Sequence, residues 1–316
     1  MAKASTNRLA PIYSIGLVLL ALVALIYVAS ALPVDSLSDL RLRDLSWWFF
    51  LAITFLHIAY LLLSAEVWRR MLRMLTHTST AYLDAYMQMA AVAVGKYIPG
   101  KFWGFIARTG QLHRHNVSAR QSLMSSVVEQ LLVLAGGGIV IIGAGLLALP
   151  EYTGSLVLLG SILLLGLLVM SVKAPTVVRW LQRKKTDSDV AEDLSSFSPF
   201  RFLQYAAAYA VLWLISGLVL CIIYFSLFDA VATVENIAAL VFANTIGFVV
   251  GFLAVFAPGG LGVREATTVA VLAPFFPIRE MIVATIVLRA WIVLFDGINA
   301  VILLFGESRR TAKDLT

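Results

Sequence analysis

The chain has 316 residues, of which 60% are hydrophobic and 13% are charged, with a mean hydropathy of +0.91. Because a water-soluble domain is about half apolar and roughly a quarter charged, this composition excludes an ordinary water-soluble domain. The formal net charge of +6 lies in short loops between apolar runs, which is typical of membrane proteins and argues against a nucleic-acid-binding protein. The single cysteine, Cys221, excludes an internal disulfide and a cysteine-based metal cluster.

The apolar segments have the length of membrane-spanning helices. Runs of about 20 apolar residues match the hydrocarbon thickness of a bilayer, and six segments qualify as full spans: 12–32, 47–65, 122–149, 155–172, 202–226 and 281–305. The first is long for a signal sequence, so we expect it to be uncleaved. Two more apolar stretches, 81–98 and 237–256, each run into a Pro-Gly break. The sequence predicts an all-α polytopic membrane protein with a single transmembrane domain over residues 1–316.

The basic loops predict the orientation of the chain. Arg69, Arg70 and Arg73 follow the second span, the stretch 96–120 has five basic residues and no acidic one, and the linker 173–201 has six basic residues. Such loops stay in the cytoplasm, and both termini are then predicted to be cytoplasmic as well. The segments that contain 81–98 and 237–256 must therefore return to the side from which they enter, as two re-entrant helical hairpins.

The two hairpins share a motif and a topology. The first contains Pro99-Gly100 and the second contains Pro258-Gly259-Gly260-Leu261-Gly262, and an arginine follows in both. Repeat one, about 47–149, and repeat two, about 202–305, have opposite predicted orientations in the membrane. Inverted repeats with broken helices near the midplane are typical of transporters.

The breaks predict an internal polar site. Non-helical backbone at membrane depth is tolerated only where protein buries it or where it lines a wet cavity. A helix that begins after the second break would direct free N–H groups at the break, and these suit phosphate or carboxylate. The residues predicted to bind a lipid headgroup or another anion are Arg264, Arg289, Lys101, Arg108, Glu129 and Glu265.

These charges admit two interpretations. Glu129 and Arg289 follow their respective prolines by 30 and 31 positions, so we expect both to face one central cavity, with Glu129 balancing Arg264 or Arg289. Lys101 and Arg108 are expected to contact phosphates of the cytoplasmic leaflet. In the structural alternative, Arg264 forms an ion pair that locks the hairpin tip, and Arg289 and Asp296 tie neighbouring helices together.

The sequence contains no motif for chemistry. It lacks a nucleotide-binding loop, a pattern of catalytic residues and a metal-ligand pattern. We therefore predict no catalytic residue, no cofactor and no ATP-driven transport, and we expect a protein that is not an enzyme.

One run of the sequence and three further sites resemble a known family. The run is Phe256-Ala257-Pro258-Gly259-Gly260-Leu261-Gly262-Val263-Arg264-Glu265-Ala266, and the sites are Pro99-Gly100, Arg108 and Glu129. The family that they resemble is the lysylphosphatidylglycerol synthase transmembrane-region family, also called flippase-like. The resemblance extends from the second span to the end of the chain. The resemblance implies a bacterial or archaeal inner-membrane protein with re-entrant helices and a lipid-translocating role. In bifunctional members this module precedes a soluble aminoacyl-transferase domain, which these residues lack, so we expect a stand-alone member.

The leading hypothesis is a protein that moves an anionic lipid or a polyprenyl-phosphate-linked glycan intermediate between leaflets. Movement would be downhill or coupled to an ion or proton, with Glu129 as a candidate. Two alternatives stay open: a membrane-embedded enzyme or accessory subunit of envelope glycan or lipid modification, and a passive scaffold. Envelope-biosynthesis enzymes and a second copy of the chain are the protein partners considered, while the sequence leaves the cargo and the direction undetermined.

Overall fold

The computed structural model describes residues 47–98, 102–162, 165–166, 169, 199–254 and 257–313. The helices, in chain order, are α1 (Trp47–Thr76), α2 (Tyr82–Gly95), α3 (Trp103–His113), α4 (Ala119–Ala148), α5 (Pro199–Leu227), α6 (Val234–Leu253), α7 (Val263–Leu272) and α8 (Ile278–Lys313), with 3-10 turns at Pro150–Tyr152 and Pro258–Gly260. Residues 153–162 are also helical. No strand occurs in the described ranges, and the predicted all-α class is confirmed.

Five of these helices are long and apolar enough to cross a membrane: α1, α4, α5, α6 and the part of α8 over Ile278–Gly306. Four of them coincide with predicted spans, namely 47–65, 122–149, 202–226 and 281–305. The predicted span 12–32 and residues 173–198 of the predicted linker 173–201 lie outside the described residues, and 155–172 is described only in part. The protein is therefore a multi-pass membrane protein, while the full count of six spans stays a prediction.

The two stretches predicted to be re-entrant, 81–98 and 237–256, form helices of different lengths. The first forms α2, whose 14 residues extend about 21 Å at 1.5 Å per residue, which is too short to cross the hydrocarbon core. The second forms α6, whose 20 residues extend about 30 Å, so its length alone would allow it to cross. Both helices end a few residues before a predicted Pro-Gly break, and each is followed by a short helix, α3 or α7.

Helix starts follow local side-chain chemistry. The hydroxyl of Ser118 accepts the Gln121 N–H at 3.2 Å, and the Gln121 amide oxygen accepts the Ser118 N–H at 3.0 Å, which together cap α4. Thr233 similarly accepts the N–H of Asn236 at 3.1 Å at the start of α6. These contacts satisfy backbone donors that a helix start leaves without a partner.

Glycines bring the helices into backbone contact. A Cβ added at Gly95 of α2 would collide with the backbone of Gly104 in α3, and one added at Gly251 of α6 would lie 2.9 Å from Cβ of Arg264 in α7. A Cβ added at Gly136 of α4 would lie 2.7 Å from the backbone nitrogen of Ala210 in α5. Small residues matter here because helices in lipid associate through close packing rather than through exclusion of water.

Candidate functional site

The turns that follow α2 and α6 meet on one side of α8. The N–H of Gly259 donates to the carbonyl oxygen of Lys96 at 2.7 Å, which joins the two turns directly. Arg289 of α8 donates from Nη1 to the carbonyl oxygen of Gly259 at 2.9 Å. We define the junction by seven residues: Lys96, Tyr97, Gly259, Arg264, Glu265, Arg289 and Asp296.

The junction lies far from both ends of α8. Arg289 and Asp296 are about 17 Å and 27 Å from Ile278 at 1.5 Å per residue, within an apolar portion about 44 Å long. The two turns thus contact α8 in the interior of a helix that is apolar enough to span a bilayer. A charged group at such a depth is costly unless it is paired or hydrated, and it is a functional candidate by default.

The second turn depends on three glycines with positive φ. Gly259, Gly260 and Gly262 have φ of 58°, 70° and 77°, a region that other residues enter only with strain. The helix α7 then begins at Val263, after the predicted break. Its N-terminus is capped by Glu265, whose carboxylate accepts the N–H of Gly262 at 2.8 Å.

Arg289 is buried and only partly satisfied. Its residue is 2% exposed, and Nη1 lies 3.6 Å from the Glu265 carboxylate in addition to its bond to Gly259. Within the described part of the chain, Nε and Nη2 of Arg289 are buried and have no hydrogen-bond partner. A buried guanidinium with free donors is a site that can gain an anion, because unsatisfied buried donors are costly.

Arg264 lies in the first turn of α7 and is also buried, with 5% of its surface exposed. Its guanidinium stacks on the ring of Phe248, with Cζ 3.0 Å from the ring centroid. It forms no hydrogen bond or ion pair with another described side chain. The cation opposes the dipole of α7 at this position, so its place is poorly explained by helix stability.

Asp296 connects the first turn to α8. Its Oδ2 accepts the Lys96 ammonium at 2.7 Å and the Tyr97 hydroxyl at 2.7 Å. Arg289 and Asp296 therefore contact different turns, and α8 is tied to both of them. Each of these two residues thus makes a contact between segments, as the structural alternative expects.

The formal charge of the junction is positive. Three cations, Lys96, Arg264 and Arg289, lie with two carboxylates, Glu265 and Asp296, which leaves a net formal charge of +1. Both carboxylates already have cationic neighbours, whereas Arg264 has none of opposite charge within ion-pair distance. The arrangement favours the binding of an anion over that of a cation.

Arg108 and Glu129 form a separate buried pair, which corrects two predictions. Their side chains are 0% and 2% exposed and approach to 2.5 Å, so Glu129 balances Arg108 and not Arg264 or Arg289. Arg108 also stacks on Trp68 at 3.9 Å and bonds to the Gln88 carbonyl oxygen at 3.3 Å. Because Arg108 is fully enclosed, the expected contact with leaflet phosphates is wrong for this residue.

The structure brings together only part of the predicted site. Arg264, Arg289 and Glu265 share the junction with the second glycine turn, whereas Pro99, Gly100 and Lys101 lie outside the described residues. Sequence reasoning missed Tyr97 and Phe248. Tyr97 precedes the first Pro-Gly break by two positions and could have been found by including the residues just before the break. Phe248 had no such signal, since an aromatic residue in an apolar helix is common.

Among the described residues, no group of three or more His, Cys, Asp or Glu side chains is placed to hold a metal ion. A family model described as the lysylphosphatidylglycerol synthase TM region matches residues 12–298. No curated protein and no solved structure matches the chain significantly.

Proposed function

The chain belongs to the lysylphosphatidylglycerol synthase transmembrane-region family, and from this premise we propose that it translocates an anionic lipid between the two leaflets of the cell's inner membrane. The family description names a synthase of an aminoacylated phospholipid. The cargo class is accordingly a lipid with a phosphate in its headgroup, such as a phospholipid or a polyprenyl-phosphate-linked glycan intermediate. The absence of a nucleotide-binding motif in the sequence favours transport that is downhill or coupled to an ion.

The observation that carries the proposal is the pair of incompletely satisfied arginines beside the second turn. Arg289 has two buried nitrogens without a partner among the described residues, and Arg264 is buried against Phe248 with no carboxylate to balance it. A guanidinium presents a planar set of donors that matches phosphate oxygens. A phosphate at this place would satisfy the free donors and use the positive charge of the junction.

The arrangement of the helices supports two re-entrant hairpins. Helix α7 folds back against α6, where Gly251 contacts Arg264. Helix α3 folds back against α2 in the same way, where Gly104 contacts Gly95. In this proposal the hairpins enter from opposite faces and meet at the junction. Broken backbone would then lie where protein and a hydrated path satisfy it.

A charge-swapped pair of contacts supports the inverted repeat. In the first half, Arg108 in the short helix after the break pairs with Glu129 in the next long helix. In the second half, Glu265 in the short helix after the break lies 3.6 Å from Arg289 in the next long helix. The two halves thus use the same connection between the same elements with opposite charges. We infer that they are copies with opposite orientation, with both termini in the cytoplasm.

The test is a lipid-translocation assay with purified protein. Phosphatidylcholine vesicles would carry a trace of fluorescent phosphatidylglycerol, and a membrane-impermeant reductant would report the label in the outer leaflet over time. Hydrogen bonds to charged groups contribute about 1.5–3 kcal/mol, so we expect Arg264→Ala to slow translocation about 10-fold or more.

The matched control is Arg70→Ala. It removes the same charge from α1, where the Arg70 side chain is 71% exposed, and we expect it to leave the rate unchanged. Fluorescent phosphatidylcholine serves as the zwitterionic comparison. Equal rates for wild type and folded Arg264→Ala would refute the junction as the site, and protein-independent rates for wild type would refute translocation itself.

A further inference from the structure

Asp296 is the one junction carboxylate that ties the first turn to α8. Its side chain is 8% exposed, while the Lys96 side chain that contacts it is 33% exposed. This pair is therefore less enclosed by protein than the pair of Arg108 and Glu129, whose side chains are at most 2% exposed. Glu129, the sequence-based candidate for coupling, is enclosed with its arginine, whereas Asp296 lies beside a partly exposed lysine that a lipid headgroup could contact.

We propose that Asp296 is a proton-binding site, and that its protonation frees Lys96 to contact an anionic headgroup, so that a proton and a lipid move together. The inference rests on the proposed function. In this step a hydronium ion gives a proton to a carboxylate oxygen of Asp296 and becomes water. The ion pair with Lys96 then ends, and the ammonium keeps its own protons and charge. The formal charge of the junction rises from +1 to +2.

The coupling follows from charge alone. A neutral Asp296 no longer competes with the lipid phosphate for Lys96, so protonation favours anion binding. By reciprocity, a bound phosphate near Lys96 favours proton uptake by Asp296 to the same extent. A monoanionic headgroup that carries a proton with it would cross without moving net charge, which lowers the cost of a charge at membrane depth.

Several titratable or charged side chains lie near Asp296 and its partners. They are Lys96 and Tyr97 after α2, His57 and Tyr60 on α1, Arg264 on α7 and Arg289 on α8. His57 needs separate treatment, because its ring lies 4.1 Å from the ring of Phe295 and histidine commonly titrates near neutral pH.

Wild-type protein provides the first test. Vesicles with phosphatidylglycerol in one leaflet and a pH-sensitive dye in the lumen would report proton movement during lipid translocation. We expect proton movement that depends on the anionic lipid. We also expect translocation toward the lumen to be about 10-fold faster when the outer solution is more acidic than the lumen than when the two have the same pH. Lipid translocation with no proton movement would overturn the inference and leave the proposed function intact. Absence of translocation would overturn both.

Variants then identify the carboxylate. Asp296→Asn mimics the protonated state, so we expect binding of phosphatidylglycerol in detergent to become independent of pH and to match wild-type binding in acid. Lys96→Gln should bind weakly at every pH, because no cation is released. A pH dependence that persists in both variants and disappears in His57→Gln would assign the proton to His57 and refute the inference.

Glu280→Gln is the matched control. Glu280 lies on α8, and its carboxylate accepts the Tyr224 hydroxyl at 2.6 Å, much as Asp296 accepts that of Tyr97. The control removes a carboxylate with a tyrosine partner from the same helix but outside the junction. We expect wild-type pH dependence of binding and wild-type proton movement. A loss of coupling in this variant would show that the effect is not specific to Asp296.

Discussion

Removal of Glu129 tests whether its pair with Arg108 is structural. The pair has side chains that are 0% and 2% exposed, so Glu129→Ala leaves a guanidinium charge enclosed between Trp68 and Gln88 without its counter-ion. Removing one partner of a buried ion pair typically costs about 3–5 kcal/mol. We expect the free energy of unfolding to fall by that amount, since Arg108 cannot reach solvent without displacing α3.

The assay is reversible unfolding in mixed micelles, followed by circular dichroism against the fraction of denaturing detergent. Glu66→Ala is the matched control on α1, where the Glu66 side chain is 23% exposed and its partner Arg70 is 71% exposed. Surface ion pairs contribute little, so this control should lose much less stability. The double variant Arg108→Met/Glu129→Leu should regain most of the loss, because apolar side chains of similar size can replace a buried pair.

The functional arm separates stability from transport. If the pair of Arg108 and Glu129 only supports the fold, the folded fraction of the double variant should translocate lipid at the wild-type rate. A loss for Glu129→Ala no larger than that for Glu66→Ala would refute the structural assignment. A stable double variant that has lost translocation would instead place the pair in the transport path.

Three further predictions follow from backbone geometry and burial. Gly259→Ala should destabilise the protein by about 1–2 kcal/mol, because Gly259 has φ of 58° and its new Cβ would lie 3.0 Å from Nη2 of Arg289; Gly297→Ala on α8, where nothing lies within 4 Å, is the control, and thermal unfolding measures both. Gly95→Ala should push α2 away from α3 and lower the stability measured in the same assay, and an unchanged stability would contradict the described contact. Cys221, the sole cysteine, is 4% exposed, so a maleimide should label it only on unfolding; rapid labelling of the native protein would contradict this burial.

Hydropathy and turn chemistry determined much of the fold in advance. Apolar runs of spanning length form helices because the backbone must satisfy its own hydrogen bonds in lipid, and 47–65, 122–149, 202–226 and 281–305 all lie on such helices. The break at Pro258 was equally readable, because proline ends a helix and only glycine enters positive φ freely. The observed φ values at Gly259, Gly260 and Gly262 confirm that interpretation.

The pairing of charges was decided by tertiary structure alone. Glu129 was expected beside Arg264 or Arg289, but α3 folds against α4 and places Arg108 next to it. Spacing along the chain orders residues on one helix face, whereas the partner of a charge depends on which other helix is brought within about 4 Å. For the same reason Arg289 and Asp296, which share one face of α8, contact two different turns, and only the packing of those turns shows that Arg289 keeps donors free.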